Sequence, residues 1–158
     1  MLKVGIAQIE SAIADVDANV EKHLAWIDLG RAAGVDLLVF PEVSLVGHYG
    51  ARSLLTAAMK RGDRRLGRLA EAAGDMRVIV GFIEEGPAAQ FYNAAAVLHR
   101  GRLEYLHRKI NIPSYGLLEE SKHYATGRFV DTLELDNDWR AGLLICADVI
   151  SSGDGLAP

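Results

Sequence analysis

The chain opens with LKVGIAQIE, where β-branched residues alternate with small and polar ones, a period-two pattern that predicts a central β-strand. The period then changes. Val16, Val20, Leu24 and Ile27 recur at intervals of three and four, which predicts a helix with one apolar face, capped by Asp15 or Asp17 and stopped at Gly34. The next segment, DLLVFPEV, contains a short continuous apolar run of the kind found in strands covered on both faces. Strand, helix and strand in that order predict a βαβ unit with parallel strands.

Two further helical stretches are expected between Ala51 and Gly74, followed by another buried strand, VIVGFIEE. YNAAAVLHRGRLEYLHRK predicts a hairpin turning near Arg100 and Gly101. From Asn111 to Gly127 the pattern breaks into a long polar loop with Pro113, Gly116 and two glutamates, and loops of this length in compact domains often carry function. FVDTLEL and WRAGLLICAD predict two closing strands, with Asp136 to Asp138 between them. The expected architecture is a layered α/β fold, one domain over residues 1–158 without an internal linker.

Composition narrows the function classes. A chain of 158 residues can bury one real core, and with 50% hydrophobic and 24% charged residues and no repeat it is not a disordered segment. A net charge of −4 argues against general nucleic-acid binding, and the basic runs at Lys60–Arg68 and His99–Lys109 read as solvated faces. No apolar run approaches the roughly 20 residues of a membrane span, and MLKVGIAQIE has no signal-peptide pattern, so no membrane partner is expected. One cysteine permits no internal disulfide, which fits a cytoplasmic protein. The histidines at 23, 48, 99, 107 and 123 show no metal-ligand spacing, and neither a metal nor another cofactor is expected.

Three residues stand at the ends of predicted strands, where open α/β sheets build their sites. Glu42 follows LLVFP, Lys109 closes the hairpin segment, and Cys146 follows GLLI. Their chemistry is complementary. A free thiol is only a few per cent ionised at neutral pH, so a nucleophilic cysteine needs a base or a nearby cation. Glu42 offers the base, Lys109 a cation for thiolate and oxyanion, and the backbone N–H of Ala147 a second oxyanion donor. Singly, each has a blander reading: a packed core sulfur, a solvated strand-end glutamate and a surface lysine.

Order and context add to that reading. LKVGIAQIE, LLVFPEVSLVGHYG, RKINIPSYGLLEESKHYATG and GLLICAD together resemble the nitrilase superfamily of carbon–nitrogen hydrolases, the third segment being most similar to glutaminase-type amidase members. The resemblance covers essentially the whole chain. It implies that Glu42 is the general base, Lys109 the cationic stabiliser and Cys146 the nucleophile of a hydrolase that forms a thioester from an amide, or from a nitrile or N-carbamoyl compound. It further implies that Glu120, with Glu119 as runner-up, supports the lysine and the substrate region, and that Tyr115 contacts substrate. Two departures bear on which substrate fits: Ala147 stands where an aromatic residue is common, and Gly47, His48 and Tyr49 stand where a Gly-Tyr pair follows the base.

The family fold is a four-layer αββα sandwich, and the resemblance implies its N-terminal part, incomplete after the cysteine motif because only VISSGDGLAP follows Asp148. An uncovered sheet face would then drive self-association, so a homo-oligomer is expected. The alternative reading is a catalytically inactive fragment serving as an interaction module. A flavodoxin-like nucleotide module, with SSGDG cradling phosphate, is disfavoured because no helix follows that loop and no G-x-G-x-x-G pattern occurs.

Overall fold

The computed structural model describes residues 1–47, 54–114, 120–136 and 138–150. Five strands form one mixed sheet in chain order: β1 (Val4–Ile6), β2 (Leu37–Val39), β3 (Arg77–Glu85), β4 (Phe91–His99) and β5 (Arg102–Arg108). The first three are parallel and the last two antiparallel, so a βαβ unit is extended by a hairpin. Helix α1 (Val16–Ala32) makes the first crossover, and α2 (Leu54–Ala57) with α3 (Arg64–Ala73) lies in the second.

Local chemistry explains these elements. Asp15 caps α1 by accepting the Ala18 N–H at 3.1 Å, and Gly34, at φ 65°, lets the chain leave the helix in a left-handed turn. Asp63 caps α3 in the same way through the Arg65 N–H. Arg100 and Gly101 both have positive φ, 49° and 74°, the geometry that matches a two-residue turn to the twist of β4 and β5. Helices α1 and α3 pack on one another and α3 packs on β3, β4 and β5, burying Val20, Ile27, Leu66, Leu69, Val78, Val80 and Phe82. Each such side chain contributes about 1.5–3 kcal/mol by leaving water. None of the helices among the described residues is long and apolar enough to cross a membrane.

Two expectations are corrected. Among the described residues β1 is an edge strand, bonded only to β2, and its Val4 and Ile6 are 50% and 81% exposed; alternation along the segment reported a strand but not its place in the sheet. The closing strands are also shorter than their apolar runs. Only Thr132–Glu134 (β6) and Arg140–Gly142 (β7) pair, as a separate two-stranded ribbon, and Leu143–Ile145 has left the ladder with Leu144 exposed. A strand needs hydrogen-bonding neighbours as well as apolar side chains, and the segment beyond Gly142 instead turns to deliver Cys146. The SSGDG segment lies outside the described residues.

Candidate active site

Glu42 is delivered by a constrained loop after β2. The Phe40 and Leu45 N–H groups donate to the carbonyls of Ile79 and Gly81, both at 2.9 Å, so the loop is tied to β3 before and after the glutamate. Between them Val43 adopts φ 45°, a left-handed conformation that β-branched residues rarely take and that the surrounding contacts must enforce. Gly81 makes this possible. A Cβ there would lie 2.3 Å from the Val43 nitrogen and 2.6 Å from the Pro41 oxygen, so a strand-interior glycine lets the loop backbone lie directly on β3.

From the other side α1 braces the same loop. The buried His23 pairs with the Ser44 hydroxyl through Nε2 at 2.9 Å and with the Asn19 carbonyl through Nδ1 at 2.6 Å. Burial lowers its pKa to about 4, so the ring is neutral at physiological pH, and both nitrogens are satisfied when Nδ1 donates and Nε2 accepts. Asn19 also donates to the Leu45 carbonyl at 3.1 Å.

Lys109 follows β5, and its side chain is completely buried. Its Nζ donates to Glu42 Oε1 at 2.7 Å and to Glu120 Oε2 and Oε1 at 2.9 and 3.1 Å, so one ammonium bridges two carboxylates. Burial opposes the charge, but hydrogen bonds to Glu42 and then Glu120 outweigh it and leave the lysine pKa above its ordinary value. Asn93 on β4 donates Nδ2 to the same Glu42 oxygen at 2.8 Å. Tyr124 stands near both carboxylates; burial first, and then the charges of Glu120 and Glu42, push its pKa up to about 12. Its phenol therefore stays protonated.

Cys146 opens a short 3-10 turn, Cys146–Ile150, with its own φ at 45°. The residue is exposed, which sets aside the reading of a packed core sulfur. Glu42 and Lys109 both lie close enough to act on the thiol through their charges, and the Ala147 backbone favours its ionised form. Lys109 favours the thiolate but does not dominate the balance. Local desolvation of the sulfur and the neighbouring Glu42 push the thiol pKa up by more than Lys109 and the Ala147 N–H pull it down. The group is a protonated thiol at neutral pH with a carboxylate beside it to take the proton.

The geometry thus brings together Glu42, Lys109, Glu120, Cys146 and the backbone of Ala147. Tyr115 and Glu119, with His48 and Tyr49, lie outside the described residues. Sequence reasoning missed Asn93, Tyr124 and Asp148. Asn93 had one legible signal, as a polar residue opening an otherwise apolar strand in FYNAAAVLH; the other two show themselves only through contacts made in space. A thiol, an adjacent proton acceptor, a buried cation and a backbone donor constitute equipment for attack on a polarised carbon.

Residues 3–153 match the carbon–nitrogen hydrolase family. The chain is 31% identical over 151 residues to a glutamine-dependent NAD(+) synthetase of Thermotoga maritima, covering 94% of this chain and 26% of that protein. Its α/β fold superimposes on the glutamine-dependent NAD+ synthetase of Acinetobacter baumannii with a TM-score of 0.83 at 27% identity, covering 95% of this chain and 28% of that one. On an amidase from Nesterenkonia sp. it superimposes with a TM-score of 0.80 at 20% identity, covering 94% and 56%. The chain spans about a quarter of the length of the curated synthetases it matches. It carries the nitrilase-like α/β fold and belongs to the carbon–nitrogen hydrolase family.

Proposed function

We propose that this chain hydrolyses the carbon–nitrogen bond of a carboxamide through a thioester on Cys146. The observation that carries the reading is the Lys109 ammonium bridging Glu42 and Glu120, with both Glu42 and Lys109 near enough for their charges to act on the Cys146 thiol. Glu42 takes the thiol proton as sulfur attacks the carbonyl carbon, and Lys109 with the Ala147 N–H stabilises the oxyanion. Collapse expels ammonia, which carries away the proton held by Glu42, and leaves the acyl group on sulfur. Water, activated by Glu42, then attacks the thioester, releases the carboxylic acid and restores the thiol. Glu120 holds Lys109 in place, and Tyr115 contacts the substrate.

Among carboxamides, the side-chain amide of glutamine is the favoured substrate, because relatives aligned over almost the whole chain are named for glutamine dependence. The test is ammonia release from glutamine, and from simple aliphatic amides, by wild type and Cys146→Ala. Turnover abolished in the variant supports the reading, and turnover that survives it, or no ammonia from wild type with any amide, contradicts it.

A further inference from the structure

The proposed chemistry makes no use of Asp148, yet this carboxylate accepts four hydrogen bonds from described residues beside the site. It is wholly buried, and both oxygens are filled. Oδ1 accepts the backbone N–H groups of Ile110 at 2.9 Å and Asn111 at 2.7 Å; Oδ2 accepts His107 Nε2 at 2.9 Å and the Ile145 N–H at 3.0 Å. The Asn111 side chain adds a bond to the Ala147 carbonyl at 2.9 Å. These bonds join two segments distant in sequence, residues 107–111 with Lys109 at their centre and residues 145–148 with Cys146 among them. A buried carboxylate is costly unless its lone pairs are met, and here four donors hold its pKa below the ordinary value despite burial. The left-handed backbone of Cys146 needs such an anchor, since that conformation persists only where its surroundings over-determine it.

We propose that Asp148, together with His107 and Asn111, is a positioning clamp that fixes the Cys146 turn against the Lys109 segment and so sets how the thiol meets Glu42 and Lys109. Its consequence for catalysis rests on the hydrolase reading; the positioning itself does not.

Cys146 is the single cysteine, so its alkylation by iodoacetamide, followed by intact mass against pH, reports this sulfur alone. With the clamp cut, the thiol leaves the desolvating, glutamate-flanked position that raises its pKa, and its pH profile moves down toward that of an ordinary thiol. His107→Leu and Asn111→Ala are each expected to alkylate at least about threefold faster than wild type near neutral pH, while His107→Gln, which keeps an N–H for Asp148, holds the wild-type profile. A cooperative thermal melt establishes that each variant is folded. Wild-type profiles in folded His107→Leu and Asn111→Ala overturn the clamp; should His107→Leu not fold, Asn111→Ala alone decides. A shifted profile in a protein that hydrolyses no amide supports the clamp and rejects only the hydrolase reading.

Discussion

Replacing Lys109 with methionine keeps most of the side chain's volume and deletes its charge. In the native site that charge contacts Glu42 at 2.7 Å and Glu120 at 2.9 Å from a fully buried position. Removing one partner of a buried ion pair costs about 3–5 kcal/mol, because the remaining charge loses its compensation without regaining water. The lower end applies here: Glu42 keeps its Asn93 bond and has a side chain 21% exposed, so solvent relieves part of the penalty. A loss of about 3 kcal/mol leaves a domain of ordinary stability folded, and with a urea slope of about 2 kcal/mol/M it lowers the midpoint by about 1.5 M. The pKa of Lys109 is raised, so its contribution is fully present below the ordinary ammonium value and is lost only as pH rises through the higher folded one. The midpoint difference is therefore expected to be constant across neutral pH and to shrink only in strong alkali. Turnover should fall about 10²–10³-fold, the usual cost of one oxyanion donor. Equilibrium urea unfolding by circular dichroism, paired with ammonia release, reads both effects. A midpoint within about 0.5 M of wild type together with turnover within about threefold would refute the assignment of Lys109 to a buried bridge at the reacting centre.

Other perturbations separate stability from chemistry. Cys146→Ala removes an exposed thiol, so it should abolish turnover and leave the melting temperature within a degree or two, measured by calorimetry. Gly81→Ala forces its Cβ into the Val43 and Pro41 backbone; overpacking of this kind costs about 1–3 kcal/mol, and the displaced Glu42 should lower kcat by about 10²-fold, whereas an unchanged kcat would contradict the tight loop placement. Glu84 is buried against Arg108 and Arg61, whose hydrogen bonds outweigh burial and hold its pKa below the ordinary value. Its stabilisation is therefore present above the ordinary carboxylate pKa of about 4.3 and lost as pH falls through the lower folded one. Glu84→Gln should cost about 1.5–3 kcal/mol at neutral pH, with the deficit closing on acidification in urea titrations.

Much of the fold was legible because local patterns and local chemistry agreed. The capped periodicity of Val16–Ala32, the buried run of β3 and the Arg100–Gly101 turn each specify their element without long-range help. Glu42, Lys109 and Cys146 were legible as chemically complementary residues at segment ends; Glu42 and Lys109 follow β2 and β5 of the sheet, whereas Cys146 comes from a turn beyond the separate ribbon, a placement that no local pattern announces. Whatever depended on contact across the chain was not legible. Asp148 and His107 are 41 residues apart, and Asn93 lies 51 from Glu42, so neither pair leaves a spacing signature. The polarity of an NAAAV strand start or a CAD turn is uninformative until the partner atoms are in view. The net direction of the thiol's pKa was not legible for the same reason: Glu42 and Lys109 oppose one another at the sulfur, and only their placement with the local desolvation decides that the value rises.

The central claim is that Cys146 becomes acylated during turnover. Its most direct measurement is intact and peptide mass after acid quench of the protein incubated with glutamine, using Glu42→Gln alongside wild type to compare acyl transfer with and without the base. The account predicts an acyl adduct on the Cys146 peptide of wild type, strongly diminished in Glu42→Gln and absent in Cys146→Ala. Ammonia release that proceeds with no adduct on Cys146, and continues in Cys146→Ala, would contradict it.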